Sequence, residues 1–247
     1  MRKPLIESAW EGFTDIVQML LESDCNVNEV DRFGRTALYV ACLLGKTEVV
    51  NVLLKNNADH SLCDENGQSP LLVASREGYN RIVKALLQKR ADINQCDVKG
   101  NSTLLVHVAS LRSNLSTVQT LSNNKANINQ CDEEGRTPLF IASDKGRTKT
   151  VQIIVNSGAD LNATDHRKCT LLYAACRQGF IDIVKLLNEH RATITQCNTW
   201  NSSPLFAACR QDFLDIVNYL VVNGSNIFCF RLFWDHSTIS SLQKRTY

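Results

Sequence analysis

Apolar residues fall along this chain in tight quartets separated by polar stretches. Val49, Val50, Leu53 and Leu54 form one quartet, and Ile82, Val83, Leu86 and Leu87 form another. The spacing i, i+1, i+4, i+5 is one stripe along a helix. Before each quartet lies a shorter segment centred on a small residue: Ser8, Ala41, Ala74, Ala109, Ala142, Ala175 and Ala208, at successive intervals of 33, 33, 35, 33, 33 and 33. Three residues before this centre stands Leu38, Leu71, Val106, Leu139, Leu172 or Leu205. Four residues after it stands Gly12, Gly45, Gly78, Gly146 or Gly179. A near-constant period of this length marks a repeat architecture. Thr36, Ser69, Thr137 and Ser203 are placed to cap the short helix, since a hydroxyl accepts an orphan backbone N–H. Pro70, Pro138 and Pro204 follow at the first helical position, where a missing N–H costs nothing. The D-x-x-G tetrads at 31–34, 64–67, 97–100 and 132–135 read as tight turns. Each unit is therefore predicted to run turn, short helix, turn, longer helix, return.

The segment G-R-T-P-L-F-I-A-S at 135–143, followed by S-G-A-D-L-N at 157–162, resembles the ankyrin consensus. The resemblance covers roughly residues 1–230. It implies an all-α ankyrin-repeat solenoid of stacked helix-turn-helix units with short hairpin fingers on one edge and a groove lined by the inner helices. The units are placed at about 1–30, 31–63, 64–96, 97–131, 132–164, 165–197 and 198–230, with 231–247 as a tail that caps the last unit. No single unit can bury its own stripe, so stability is expected to come from stacking.

Several positions depart from the family pattern. The fourth unit is two residues long, has Ser113 at the glycine slot, and carries Thr117 and Ser122 where apolar residues belong. The histidine of the family's T-P-L-H is replaced by Tyr39, Leu72, Phe140, Tyr173 and Phe206, with His107 the exception, so apolar packing is expected in place of its inter-repeat hydrogen bond. Arg90, Lys125 and Arg191 stand where glycine usually ends a helix, and altered turns are expected there. Of ten cysteines, Cys63, Cys96, Cys131 and Cys197 share one slot and Cys42, Cys176 and Cys209 another. Packed helices are about 8–10 Å apart, too far for adjacent rungs to form a disulfide. They read as small semi-buried hydrophobes.

Composition narrows the function classes. The 247 residues are 44% hydrophobic and 21% charged, with a net charge of +2. That charge gives no reason to expect nucleic acid or an anionic membrane as partner. No run approaches the roughly 20 apolar residues of a membrane span, and no secretory leader is apparent. An intracellular protein, cytoplasmic or nuclear, is expected. No phosphate loop, H-E-x-x-H or G-x-S-x-G occurs, and Glu189-His190 reads as a solvated helix end. No catalytic residue, metal ligand or cofactor is expected.

Binding is the remaining possibility, and the resemblance puts it at the finger tips and the exposed side of the inner helices. Those slots hold Phe33, Arg35, Arg167 and Trp200 on the fingers. On the inner helices they hold Leu43, Leu44, Arg76, Glu77, Asp144, Lys145, Arg177, Gln178, Arg210 and Gln211. Phe33 with Leu43 and Leu44 would suit a hydrophobic side chain. Trp200 with Arg167, Arg177 and Arg210 would suit an acidic segment. The expected function is a non-enzymatic, monomeric protein-binding module: scaffold, adaptor or inhibitor. The alternatives are the substrate-recognition part of a ubiquitin-ligase-type complex, which the tail does not resemble, or a piece of a longer ankyrin chain.

The irregular fourth unit should be the softest point of the array. Amide hydrogen exchange within 97–131 is expected to be faster than in the units on either side; equal protection would refute this.

Overall fold

The structure, a computed structural model, describes residues 3–95 and 114–225. Among these, thirteen helices run in chain order. They are α1 (Pro4–Glu11), α2 (Thr14–Glu22), α3 (Ala37–Leu43), α4 (Thr47–Lys55), α5 (Pro70–Glu77), α6 (Asn80–Gln88) and α7 (Leu115–Asn123). Then follow α8 (Pro138–Asp144), α9 (Thr148–Asn156), α10 (Leu171–Gln178), α11 (Ile181–Glu189), α12 (Pro204–Arg210) and α13 (Leu214–Val222). The chain divides into two compact halves, 1–133 and 134–247. Each is an all-α stack of helical pairs. In the first half α1, α3 and α5 form an inner row and α2, α4, α6 and α7 an outer row; in the second, α8, α10 and α12 face α9, α11 and α13.

The inner helices begin as the sequence implies. The side chains of Thr36, Ser69, Thr137 and Ser203 accept the backbone N–H three residues on, and Thr170 does the same for Tyr173. Each of these caps is buried, so an unmade bond there would leave an unsatisfied donor. The outer helices end in one recurrent turn. The N–H of Ala58, Ala91, Ala126, Ala159 and Ala192 reaches back five residues to a helix carbonyl, and each alanine is buried. The preceding residue takes a left-handed conformation. Arg90, Lys125 and Arg191 do not alter this turn: their φ values are 65°, 65° and 66°. The back-bond, the buried alanine and a cation at a helix C-terminus together offset the left-handed strain of about 1–2 kcal/mol.

The fingers are held by one side chain each. Asp31 Oδ1 accepts the backbone N–H of Phe33 (2.8 Å) and Arg35 (3.0 Å). Asp64, Asp165 and Asn198 make the same two bonds in their own fingers. Successive fingers join by a main-chain bond: Glu65 donates to Phe33, His166 to Glu134, and Thr199 to Arg167, each at 3.0 Å.

The histidine slot corrects the sequence expectation at Tyr39. The Tyr39 hydroxyl donates to Asp64 Oδ2 at 2.9 Å, so an inter-repeat hydrogen bond survives with a different donor. Burial, then the bond to Asp64, raises the Tyr39 pKa and keeps the phenol protonated. Leu72 and Phe140 are buried and pack instead.

The described cysteines are free thiols. Cys42 and Cys176 are buried and burial raises their pKa; burial pushes Cys209 up to about 11. At the same slot Ser75 and Ser143 have buried hydroxyls with no hydrogen-bond partner. A thiol, a weaker donor, loses less there. Cys63 and Cys197 are half-buried, while Cys131 is exposed.

In the fourth unit, Thr117 and Ser122 of α7 also hold buried hydroxyls without a partner. Each such hydroxyl is a local cost to stability. The two extra residues, Ser113, His107, Cys96 and the finger and inner-helix slots Val98, Lys99, Asn101, Leu111 and Arg112 lie outside the described residues, as does the tail 231–247.

The loop glycine between inner and outer helix is required twice over. Gly179 has φ +84°, and a Cβ there would stand 2.7 Å from the Phe213 ring of the next pair. Gly179→Ala should therefore destabilise the chain by about 2–3 kcal/mol, combining left-handed strain with overpacking. Urea unfolding would check this; a loss below 0.5 kcal/mol, the ordinary scatter of surface substitutions, would refute it.

Candidate protein-binding face

In the first half the face is built around the finger of residues 31–35. With Asp31 fixing the backbone of Phe33 and Arg35, their side chains are carried on a rigid turn. Arg35 clamps back onto Asp31, with Nη2 at 2.7 Å and Nε at 2.8 Å from Oδ2. Burial works to raise the Asp31 pKa. The hydrogen bonds from Arg35 and Phe33, with the Arg35 charge, more than offset it and hold the carboxyl below its ordinary value.

Two guanidinium groups, those of Arg32 and Arg35, each lie 4.6 Å from the centroid of the Phe33 ring. Arg35 also stands 5.9 Å from the Trp10 ring. Cation–π attraction of this kind contributes about 0.5–1 kcal/mol at exposed sites. Lys3, Ile6, Glu7, Trp10 and Glu11, at or on α1, face the finger across a cleft of about 530 Å³. Phe33 and Trp10 are each 41% exposed, so aromatic surface remains open to a ligand.

This rearranges the grouping drawn from sequence. Phe33 and Arg35 are in the cleft. Leu43 and Leu44 are half-buried and do not line it. Arg76 bonds to its neighbour Glu77 and to the finger residue Gln68, at 3.2 Å in each case. Trp10 is the residue the sequence reading missed. The signal was there: the pair preceding the loop glycine is Trp10-Glu11 in the first unit, at the slots of Leu43-Leu44 in the second.

In the second half, Asp144 Oδ1 accepts from Arg177 Nη2 (2.9 Å) and from Gln178 Nε2 (3.1 Å), tying α8 to α10. Arg177 is thus paired, and the basic character expected of this end falls mainly to Arg167 and Arg210. Arg167 stands 5.5 Å from the centroid of Trp200, which is 57% exposed on a finger fixed by Asn198. Lys145, Arg210 and Gln211 are exposed at the inner-helix slots. Among the described residues no group of three His, Cys, Asp or Glu side chains could hold a metal ion. None of the described helices is long and apolar enough to cross a membrane.

Comparison with known proteins agrees with this geometry. The family model "Ankyrin repeats (3 copies)" matches at residues 5–97, 93–165 and 158–230. The chain belongs to the ankyrin-repeat family. Two solved structures are similar in fold. The ankyrin repeat domain of Bcl-3, described as a unique member of the IkappaB protein family, aligns with TM-score 0.78 and 23% identity, over 87% of this chain and 98% of that one. The human ASB11 ankyrin repeat domain aligns with TM-score 0.79 and 25% identity, over 91% of this chain and 99% of that one. A comparison with curated protein sequences finds no match.

The Asp31–Arg35 clamp has a testable pH signature. A depressed carboxyl contributes stability that is fully present above its unfolded pKa, about 3.9, and lost as pH falls through the lower folded value. Asp31→Asn should keep the turn, because Asn198 makes the same two bonds in its finger, while losing the ion pair. The stability difference between the two proteins in urea should be present at neutral pH and shrink as the pH falls below the unfolded value and through the lowered folded one. A difference that stays constant with pH would show that the ion pair is not its source.

Proposed function

We propose that this chain is a non-enzymatic protein–protein interaction module, a scaffold, adaptor or inhibitor, that holds its partner on the finger and inner-helix face. The observation that carries the reading is the open cleft between α1 and the 31–35 finger, with Trp10 and Phe33 exposed beside Arg32 and Arg35. Aromatic and arginine side chains on a rigid support are the usual anchors of interfaces. They lose little conformational entropy on binding because the finger is already fixed by Asp31. Membership of the ankyrin-repeat family supports the same reading.

The exposed Trp200 and Arg167, with Lys145, Arg210 and Gln211, form a second contact region in the other half, while Asp144, Arg177 and Gln178 brace it. The binding unit comprises seven repeats within 1–230. It acts as a monomer, without cofactor, nucleic acid or membrane. Its cysteine-rich core, with Cys42 and Cys176 buried as thiols, suits the reducing cytosol or nucleus.

Affinity capture from cell lysate tests this with three proteins: the intact chain, a Trp10→Ala/Phe33→Ala variant, and a Trp200→Ala/Arg210→Ala variant. These side chains are exposed or solvated, so all three should melt within about 2 °C of one another. A partner held by the intact chain should be lost, about tenfold or more in recovery, from the first variant. Equal recovery with all three proteins would refute the finger and inner-helix face as the binding surface.

A further inference from the structure

The finger of residues 165–168 departs from its counterparts at one backbone position. In the fingers at 31–34, 64–67 and 132–135 the last residue is Gly34, Gly67 or Gly135, with φ 74°, 73° and 77°. In the finger at 165–168 the same left-handed position, φ 57°, belongs to Lys168. A side chain there is strained, because its Cβ crowds the carbonyl oxygen that follows. Strain of this kind collects at functional sites. Lys168 does nothing for the turn that glycine does not do. Its backbone N–H bonds to the Asp165 carbonyl at 2.9 Å, as Gly34 bonds to Asp31 and Gly67 to Asp64. What the residue adds is a cation on the finger tip, directly after the exposed Arg167.

A strip runs from these two cations toward the inner helices. The main-chain bond from Thr199 to Arg167 sets the next finger alongside, and Trp200 on that finger stands 5.5 Å from the Arg167 guanidinium. Asn198, which accepts the Trp200 N–H, also lies beside the Tyr173 phenol of α10. Burial raises the Tyr173 pKa while Arg177 and Arg210 both pull it down, so the two guanidinium groups lie within electrostatic reach of one ring. The nearby acids are engaged elsewhere. Asp144 accepts from Arg177 and Gln178, Asp165 Oδ1 from two backbone N–H groups of its finger, and Glu134 pairs with Arg136. Asp212, two residues after Arg210, is exposed. Among the described residues no acid pairs with Arg167, Lys168 or Arg210. A nucleic acid that makes about 6–10 phosphate contacts needs a longer basic track than this. Cations grouped around an exposed indole instead match a short peptide with carboxylates beside an apolar side chain. We propose that Arg167, Lys168, Trp200 and Arg210 form the seat for an acidic peptide segment of a protein partner, with its carboxylates on the cations and an apolar side chain on the Trp200 ring. The assignment rests on the protein-binding role of the finger and inner-helix face.

The test selects peptides from a phage-displayed library of random dodecapeptides on the immobilised full chain. The recovered peptides are synthesised and their affinity is read by fluorescence polarisation. They should be rich in Asp and Glu and carry an aromatic or aliphatic residue. Affinity should fall about tenfold or more with Arg167→Ala/Trp200→Ala. Lys168→Gly or Arg210→Ala alone should cost roughly two- to fivefold, the range of an exposed ion pair. Lys168→Gly should melt no lower than the parent chain, because the left-handed strain is relieved, so misfolding cannot account for its loss. Added salt should weaken the peptides less in that variant than in the parent. Lys185→Ala, on the outer helix α11, removes an equal charge away from the face and should change nothing. Peptides without acidic enrichment that are lost with Trp10→Ala/Phe33→Ala would overturn the acidic seat and leave the binding face standing. Peptides bound equally by every variant would overturn both. A library that yields no peptide, affinity unchanged by Lys168→Gly and Arg210→Ala, or a short DNA duplex held more tightly than the peptides would each overturn the seat as well.

Discussion

Most of the described helical pairs depend on their neighbour at one point: a side chain laid over the loop glycine of the pair before it. Lys46 on Gly12, Tyr79 on Gly45, Phe180 on Gly146 and Phe213 on Gly179 are the same contact repeated. It needs a left-handed backbone and an absent Cβ at once, and only glycine supplies both. The close approach brings the apolar stripes of adjacent outer helices together. Val49, Leu53, Ile82, Leu86, Ile183 and Leu187 are fully buried as a result. Two short helices of 7–9 residues could not hold together alone. The packing between neighbours, not helix propensity, makes each of them a helix.

The fingers follow a separate rule, and it is electrostatic rather than apolar. One carboxylate or amide oxygen, on Asp31, Asp64, Asp165 or Asn198, gathers two backbone N–H groups and freezes the turn. This separates the duties of the residues. The acid builds the finger, and the two residues after it are released for contact with something else. Phe33 and Trp200 are large apolar side chains left partly in solvent on backbones held by those hydrogen bonds. The Asp31–Arg35 clamp adds a second function to the first finger, because the same guanidinium that neutralises Asp31 also lies over Phe33 and near Trp10.

Where the repeat pattern is broken, the chemistry shows what the pattern is for. Tyr39 replaces a histidine but finds Asp64, so the bond between repeats is kept by reach rather than by residue type. Cys42 and Cys176 occupy a buried slot at which Ser75 and Ser143 leave hydroxyls unpartnered. Thr117 and Ser122 put the same burden on α7. The array tolerates these substitutions because each affects only its immediate neighbours.

Much of this molecule was legible as sequence. The period of 33, the hydroxyl caps, the proline starts, the finger acids and the loop glycines are local signals, each tied to a dihedral angle or a hydrogen bond within a few residues. The repeat then extended those local rules to the stacking and so to the fold. The face was only partly legible. The slots that point outward could be named, but not which of them meet. Phe33 was grouped with Leu43 and Leu44 and instead faces Trp10, while Arg177 was counted among free cations and is held by Asp144. Those pairings join side chains from different repeats, and their distances are set by how far one pair is displaced and turned on the next. That displacement comes from packing between surfaces, and only the tertiary structure fixes it.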